Sequence, residues 1–222
     1  MLILALDTSL DACAVAVATG ERIIAERTEV IGRGHAERLM GLIAAVLANA
    51  GVGYDAIERI GVTVGPGSFT GIRVGVAAAR GLRLALRRPL IGISTLDAAA
   101  EAIAATAGGL PILAAWDARR DEVYARFYAA DGTPTGEAMA APAAQVAAML
   151  GGRAHACVGS GAPLVATFAG DAARVVDLRG HAPIAAVARL TARAVEPVAL
   201  PSPLYMRPAD AKPQAAAGVA RA

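Results

Sequence analysis

The sequence predicts an α/β fold of two similar lobes, each a mixed sheet flanked by helices. Three observations carry this. Strand-like runs joined by short turns come first, and strand and helix patterns then alternate. The second half repeats that order with matching landmarks: an aspartate after the first strand of each half (Asp7, Asp117) and a glycine corner after the fourth (VGPGS at 64–68, VGSGA at 158–162). The chain is 56% hydrophobic and 18% charged, which suits packed cores and excludes a disordered chain. With only 4% aromatic residues, Ala, Val and Leu must build those cores.

Residues 2–8 (LILALDT) form an apolar strand ending in an aspartate. After a turn at Ser9–Asp11 comes strand 12–19, and a tight turn at Gly20–Glu21 leads to strand 22–30. Turns this short imply an antiparallel meander. Gly32–Gly34 breaks the pattern, and helix 35–50 follows with Leu39, Ile43, Val46 and Leu47 at helical spacing. Gly51 stops it. Strand 59–64 runs into the corner GPGSFTGIRVG (65–75), from which helix 70–87 leaves, and Pro89 ends that helix. Residues 90–93 read as a fifth strand, and Ser94 or Thr95 caps a helix reaching about Ala107. A meander followed by crossover units gives a mixed sheet with helices on both faces.

Gly108–Gly109 marks the lobe boundary, dividing 1–108 from a degenerate second lobe at 109–207. In the second lobe, strands are expected at 110–116, 121–129, about 135–140, 154–158 and 173–178. Helices are expected at 142–150, after Gly161 to about 169, and at 183–195. The polar, Ala-rich residues 208–222 are expected to be a disordered tail.

Charge and cysteine content narrow the function. The net charge is +2 with a pI near 8.8, weak support for a nucleic-acid partner. The basic residues are arginines except Lys212, which reads first as coding bias. Cys13 and Cys157 sit in separate apolar runs and read as buried free thiols. No basic residue precedes the first apolar run, so it is not a signal peptide, and no uncharged run is long enough to span a membrane. A soluble cytoplasmic protein is expected.

The two-lobed plan with facing aspartate loops is similar to the actin-like ATPase and sugar-kinase superfamily, whose lobes are ribonuclease H-like. That resemblance implies nucleotide in the cleft, with an aspartate positioning the metal-bound phosphates and a neighbouring glycine admitting them. Here Thr8 or Ser9 takes the glycine's place after Asp7, and Asp117-Ala118-Arg119-Arg120 also lacks glycine. Side chains there would crowd phosphates. The simpler reading is that both aspartates cap turns at strand ends and accept local N–H groups.

The GPGSFTG corner is not a Walker loop, because no lysine follows its last glycine. Nor is it a nucleophile elbow: Pro66 and Thr70 flank Ser68 where glycines belong, and only His35, His155 and His181 could serve as base. Ser68 and Thr70 suit helix caps. The free N–H groups at that helix start could also hold an anion. The residues expected to contact such an anion or a nucleotide are Asp7, Ser9, Ser68, Thr70 and Arg73. On helix 70–87, Arg73, Arg80, Arg83 and Arg87 fall within an arc of about 80°. The opposite face carries Gly71, Gly75, Ala78 and Leu82. Two glycines on one helical face, each costing roughly 1 kcal/mol against alanine, imply a close backbone neighbour. That neighbour is either the chain's own sheet or a partner's helix. His35 lacks a second histidine four residues on, since Leu39 stands there, so no catalytic metal site is expected.

The blocks LALDTSLDACAVAV, GHAERLMGLI, VGPGSFTGIRVGVAAARGL, STLDAAA and DARRDEVYA, spread over residues 2–127, closely resemble the TsaB (YeaZ) family. PLYMR (203–207) resembles the family's terminal motif. The resemblance implies an actin-like fold and a non-catalytic scaffold subunit. Its partner would be a TsaD-type subunit that transfers threonylcarbamoyl to adenosine 37 of tRNA, joined by a TsaE-type ATPase. Contact with tRNA would be indirect, with homodimers forming in isolation. In the family the two helices after the meander form the dimer surface. Carried onto this chain, the interface residues are His35, Leu39, Leu42, Ile43, Val46, Gly71, Gly75, Ala78 and Leu82. No catalytic residue, metal or cofactor of its own is implied, with ATP or ADP at most at the partner interface. The alternative is an ATPase or glycoprotease-like hydrolase of the same superfamily.

Overall fold

The computed structural model describes residues 1–207, so the expectation for the 208–222 tail lies outside the described residues. The first lobe contains β1 (Leu2–Asp7), β2 (Ala12–Thr19), β3 (Arg22–Val30), α1 (His35–Ala50), β4 (Arg59–Gly65), α2 (Phe69–Leu86), β5 (Leu90–Ser94) and α3 (Thr95–Ala104). The second contains β6 (Ile112–Asp117), β7 (Glu122–Tyr128), β8 (Met139–Pro142), α4 (Ala143–Met149), β9 (His155–Val158), α5 (Ala162–Ala169) and β10 (Ala173–Asp177). Helix α6 (Ile184–Arg193) follows.

The first sheet runs β3-β2-β1-β4-β5 and the second β8-β7-β6-β9-β10. In each, the first three strands in sequence are antiparallel and the fourth and fifth join in parallel. The two lobes therefore match strand for strand. This is the duplicated mixed-sheet plan that the sequence order predicts.

Strand alternation builds the layers. Leu4 and Leu6 of β1, with Cys13, Val15 and Val17 of β2, pack under α1 and α2. Ile3, Ala5, Ala14 and Ala16 point to the other face and pack under α6. Helix α3 lies between the sheets, its Leu96, Ala99 and Ile103 meeting Ile112, Ala114 and Trp116 of β6. Helices α4 and α5 close the far side of the second sheet.

The largest difference from the sequence expectation is α6. It belongs by position to 109–207, yet it packs on the first sheet. Two features seat it there. Gly61 of β4 has no Cβ, and one would collide with the Thr191 side chain. The Arg59 guanidinium donates to the Thr191 and Ala194 carbonyls at 3.1 and 2.8 Å, capping the helix's C-terminal end. The corresponding face of the second sheet is already covered by α3. Smaller differences are β8, which begins at Met139, and α3, which stops at Ala104.

Candidate functional site

The glycine corner between β4 and α2 closes directly onto the β1–β2 loop. The Ser68 N–H donates to the Ser9 carbonyl at 2.7 Å, and the Thr8 hydroxyl donates to the Gly71 carbonyl at 2.7 Å. A Cβ on Gly67 would collide with the Ser9 carbonyl oxygen, and one on Gly71 with that of Thr8. A Cβ on Gly75 would lie 2.6 Å from the Thr8 hydroxyl. The close backbone neighbour is thus the chain's own first loop. The Ser68 hydroxyl caps the helix by accepting from the Gly71 N–H at 3.3 Å. The second lobe repeats the device. The Gly161 N–H donates to the Ala115 carbonyl at 2.9 Å, and Ser160 Oγ accepts from the Asp117 N–H at 3.1 Å. A Cβ on Gly161 would press on the Trp116–Asp117 peptide.

Of the residues expected to contact an anion or nucleotide, the structure brings Asp7, Ser9 and Ser68 together in one closed corner and leaves Thr70 and Arg73 on the outer face of α2. Asp7 is 0% exposed, and its Oδ1 accepts from the Ser9 N–H at 2.9 Å and the Thr63 hydroxyl at 2.5 Å. Its Oδ2 has no hydrogen-bond partner, and burial raises its pKa against the opposing effect of those bonds. Ser9 is also buried, with its hydroxyl 2.6 Å from that of Thr63. Thr70 and Arg73 face outward on α2. The Arg73 guanidinium lies 3.6 Å from the Phe69 ring centroid, and its Nε donates to the Tyr205 hydroxyl at 2.8 Å. Asp117 caps its own turn by accepting from the Arg119 N–H at 2.7 Å. Among the described residues no three His, Cys, Asp or Glu side chains cluster as a metal site would need. Burial pushes the Cys13 thiol up to about 11 and the Cys157 thiol up to about 12.

The expected partner interface is corrected. Leu39, Leu42, Ile43, Val46, Gly71, Gly75 and Leu82 are buried in the chain's own core, as is His35, and Ala78 packs against that core. Helical spacing identified one face of each helix but could not say that the sheet takes it. The outer faces are different: Met40, Gly41 and Ala44 on α1, and Ala77, Gly81 and Leu84 on α2. Leu84 is 77% exposed, Met40 is 49% exposed, and a Cβ on Gly81 would meet nothing within 4 Å.

A C-terminal strap completes the corner. The Leu204 N–H donates to the Val64 carbonyl at 2.7 Å, and Arg80 donates to the Pro201 carbonyl at 2.6 Å. The Tyr205 and Phe69 rings are 4.7 Å apart. Arg207 crosses to the second lobe, donating to the Ala118 carbonyl at 2.6 Å and pairing with Glu122. The strap's role was missed from sequence, although an aromatic and an arginine in PLYMR were the visible signal.

Comparison with known proteins agrees with this architecture. The family model described as "TsaD: tRNA N6-adenosine threonylcarbamoyltransferase" matches residues 22–215. A Pseudomonas aeruginosa protein described as similar to peptidase YeaZ superposes with TM-score 0.77 at 32% identity, covering 93% of this chain and 99% of that one. YeaZ from P. aeruginosa superposes with TM-score 0.70 at 31% identity, over 84% of this chain and 88% of that one. The chain belongs to the TsaB/YeaZ family. Escherichia coli "tRNA threonylcarbamoyladenosine biosynthesis protein TsaB" is 38% identical over 131 residues, 59% of this chain. This TsaB/YeaZ-family chain spans about half the length of the curated TsaB relatives it matches, 56% of the E. coli protein. Among the described residues, no helix is long and apolar enough to cross a membrane.

Proposed function

We propose that this chain is a pairing subunit in tRNA threonylcarbamoyladenosine formation. It docks a related TsaD-type subunit that carries the chemistry, within an assembly that includes a TsaE-type ATPase. The observation that carries the reading is the outer surface of α1 and α2. Small or apolar residues there (Met40, Ala44, Ala77, Gly81, Leu84) lie open to solvent on helices whose inner faces are fully used. Open glycine and alanine let another helix approach closely, and Leu84 supplies an apolar anchor. The same surface would serve a homodimer in isolation.

The lobe loops support a role without catalysis by this chain alone. Asp7 and Ser9 are sealed beneath the glycine corner, and each corner's glycines are taken up by its own neighbouring loop. Any ATP or ADP contact therefore belongs to the assembled pair.

The test is co-purification with the TsaD-type partner from the same genome. Leu84→Glu should abolish co-elution on a sizing column while the circular-dichroism spectrum stays unchanged. Co-elution of the folded variant at wild-type levels would overturn the assigned surface. Gly75→Leu is unsuitable, since the added side chain would press on Thr8 and Val62 and unfold the lobe.

A further inference from the structure

We infer that the C-terminal end of α2 is a binding groove for an RNA phosphate backbone. A cavity of about 370 Å³ opens there, lined by Arg83, Leu84, Arg87, Arg88, Pro89 and Glu196. Three guanidinium groups meet the Glu196 carboxylate in the lining, and the Glu58 carboxylate acts on Arg88 from nearby, so the groove keeps a net positive charge centred on Arg83 and Arg87.

These arginines are not used internally. The Arg83 and Arg87 guanidiniums make no hydrogen bond or ion pair among the described residues, and Arg88 has only a 3.5 Å approach to the Asp55 carbonyl. Arg38, Arg126, Arg189 and Arg193 are engaged with Glu29, Asp97, Glu101 and Glu21, whereas Arg22, Arg33, Arg153 and Arg174 share the unpaired state of Arg83 and Arg87 among the described residues without lining the groove. Arg87 closes α2 in the left-handed region at φ 55°, where glycine is the ordinary residue and a side chain costs roughly 1 kcal/mol. That strained conformation holds the Arg87 side chain at the groove beside Arg83 and Arg88.

Arg83 and Arg87 stand one helical turn apart, about 6 Å. Such a pair can fork onto successive phosphates of one strand, the bidentate recognition that arginine performs best. No aromatic side chain lines the groove, so no base stacks there, and its arginines are assigned to phosphates. Binding should be sequence-independent and strongly salt-dependent. The choice of RNA over an acidic protein rests on the proposed role in tRNA modification.

The test uses the full chain alone and a fluorescein-labelled RNA hairpin of arbitrary sequence, so it needs neither partner nor modification activity. Wild type should bind at 50 mM salt, equally for two unrelated hairpins. Arg83→Gln/Arg87→Gln should weaken binding on the order of tenfold and lower the salt slope by about 1.4 to 1.8. Arg22→Gln/Arg174→Gln removes the same charge elsewhere and should bind like wild type. Equal loss in both double variants, or no wild-type binding at 50 mM salt, overturns the inference. So does a poly-glutamate peptide that binds through Arg83 and Arg87 while the hairpin does not. Leu84 borders both the groove and the proposed partner surface, but the hairpin assay contains no partner and leaves Leu84 intact, so its failure is distinguishable from failure of the pairing surface.

Discussion

Thr8 and Gly71 hold the first loop and the glycine corner in backbone contact. The Thr8 hydroxyl donates to the Gly71 carbonyl at 2.7 Å, and the Gly71 Cα faces the Thr8 carbonyl with no room for a Cβ. The second lobe has the same relationship between Gly161 and the Trp116–Asp117 peptide. The duplication thus extends from strand order to the closure of each glycine corner. In both lobes the corner glycine packs directly on the backbone of the loop after the first strand.

Glycine substitutions along α2 should therefore have opposite signs. Gly71→Ala should destabilise by about 1–3 kcal/mol, because the colliding atom is a backbone carbonyl that cannot turn aside. Gly81→Ala, in open space on the same helix, should stabilise by about 0.5–1 kcal/mol. Urea titration of both variants checks this. Equal shifts would mean that α2 does not sit on the Thr8 loop.

The buried Asp7 predicts a pH dependence. Burial raises its folded-state pKa above the ordinary 3.8 despite the bonds from Thr63 and Ser9. In the window above 3.8 the folded state binds more protons than the unfolded state, so stability falls as pH rises through the folded pKa. Asp7→Asn keeps the shape without the charge. Its stability advantage over wild type should be absent below 3.8 and grow as pH rises above it. Urea midpoints measured from pH 3.5 upward test this, and an advantage that shrinks with rising pH would refute it.

Most of the fold was legible because periodicity and turn chemistry report local structure directly. The spans 12–19, 22–30 and 35–50 match β2, β3 and α1 residue for residue. Gly51, in the left-handed region at φ 69°, ends α1 as expected. Periodicity also sorted Gly71, Gly75 and Leu82 onto one face of α2. It carries no information about which neighbour covers that face: the Thr8 loop meets Gly71 and Gly75, and the chain's own core takes Leu82. Helix α6 was expected at 183–195, but where it and the Pro201–Arg207 strap pack was illegible for a related reason. Their contacts with Gly61, Val64 and Arg80 span more than a hundred residues, and no local pattern encodes such a return.

The strap should depend on its far anchor. Arg207→Ala removes the bond to the Ala118 carbonyl and the pair with Glu122, both partly exposed and together worth about 1 kcal/mol. Amide hydrogen exchange at Leu204, whose N–H is held by the Val64 carbonyl, should speed up about fivefold. Unchanged exchange at Leu204 would show that the Tyr205–Phe69 and Arg80–Pro201 contacts hold the strap unaided.

Thr95 makes the sharpest test of how the lobes are joined. Its hydroxyl donates to the Pro66 carbonyl at 2.7 Å and accepts from the Trp116 indole N–H at 3.1 Å, linking the first-lobe corner to the second sheet. Both partners are buried. Thr95→Val keeps the shape and deletes the hydroxyl, stranding a donor and an acceptor, and should cost about 2–4 kcal/mol. Thr95→Ser keeps both bonds and should cost about 1 kcal/mol for the lost methyl group. Trp116 is the chain's sole tryptophan and is fully buried, so its fluorescence reports unfolding directly. Similar losses in the two variants would mean that methyl packing, and not the shared hydroxyl, ties the corner to the second lobe.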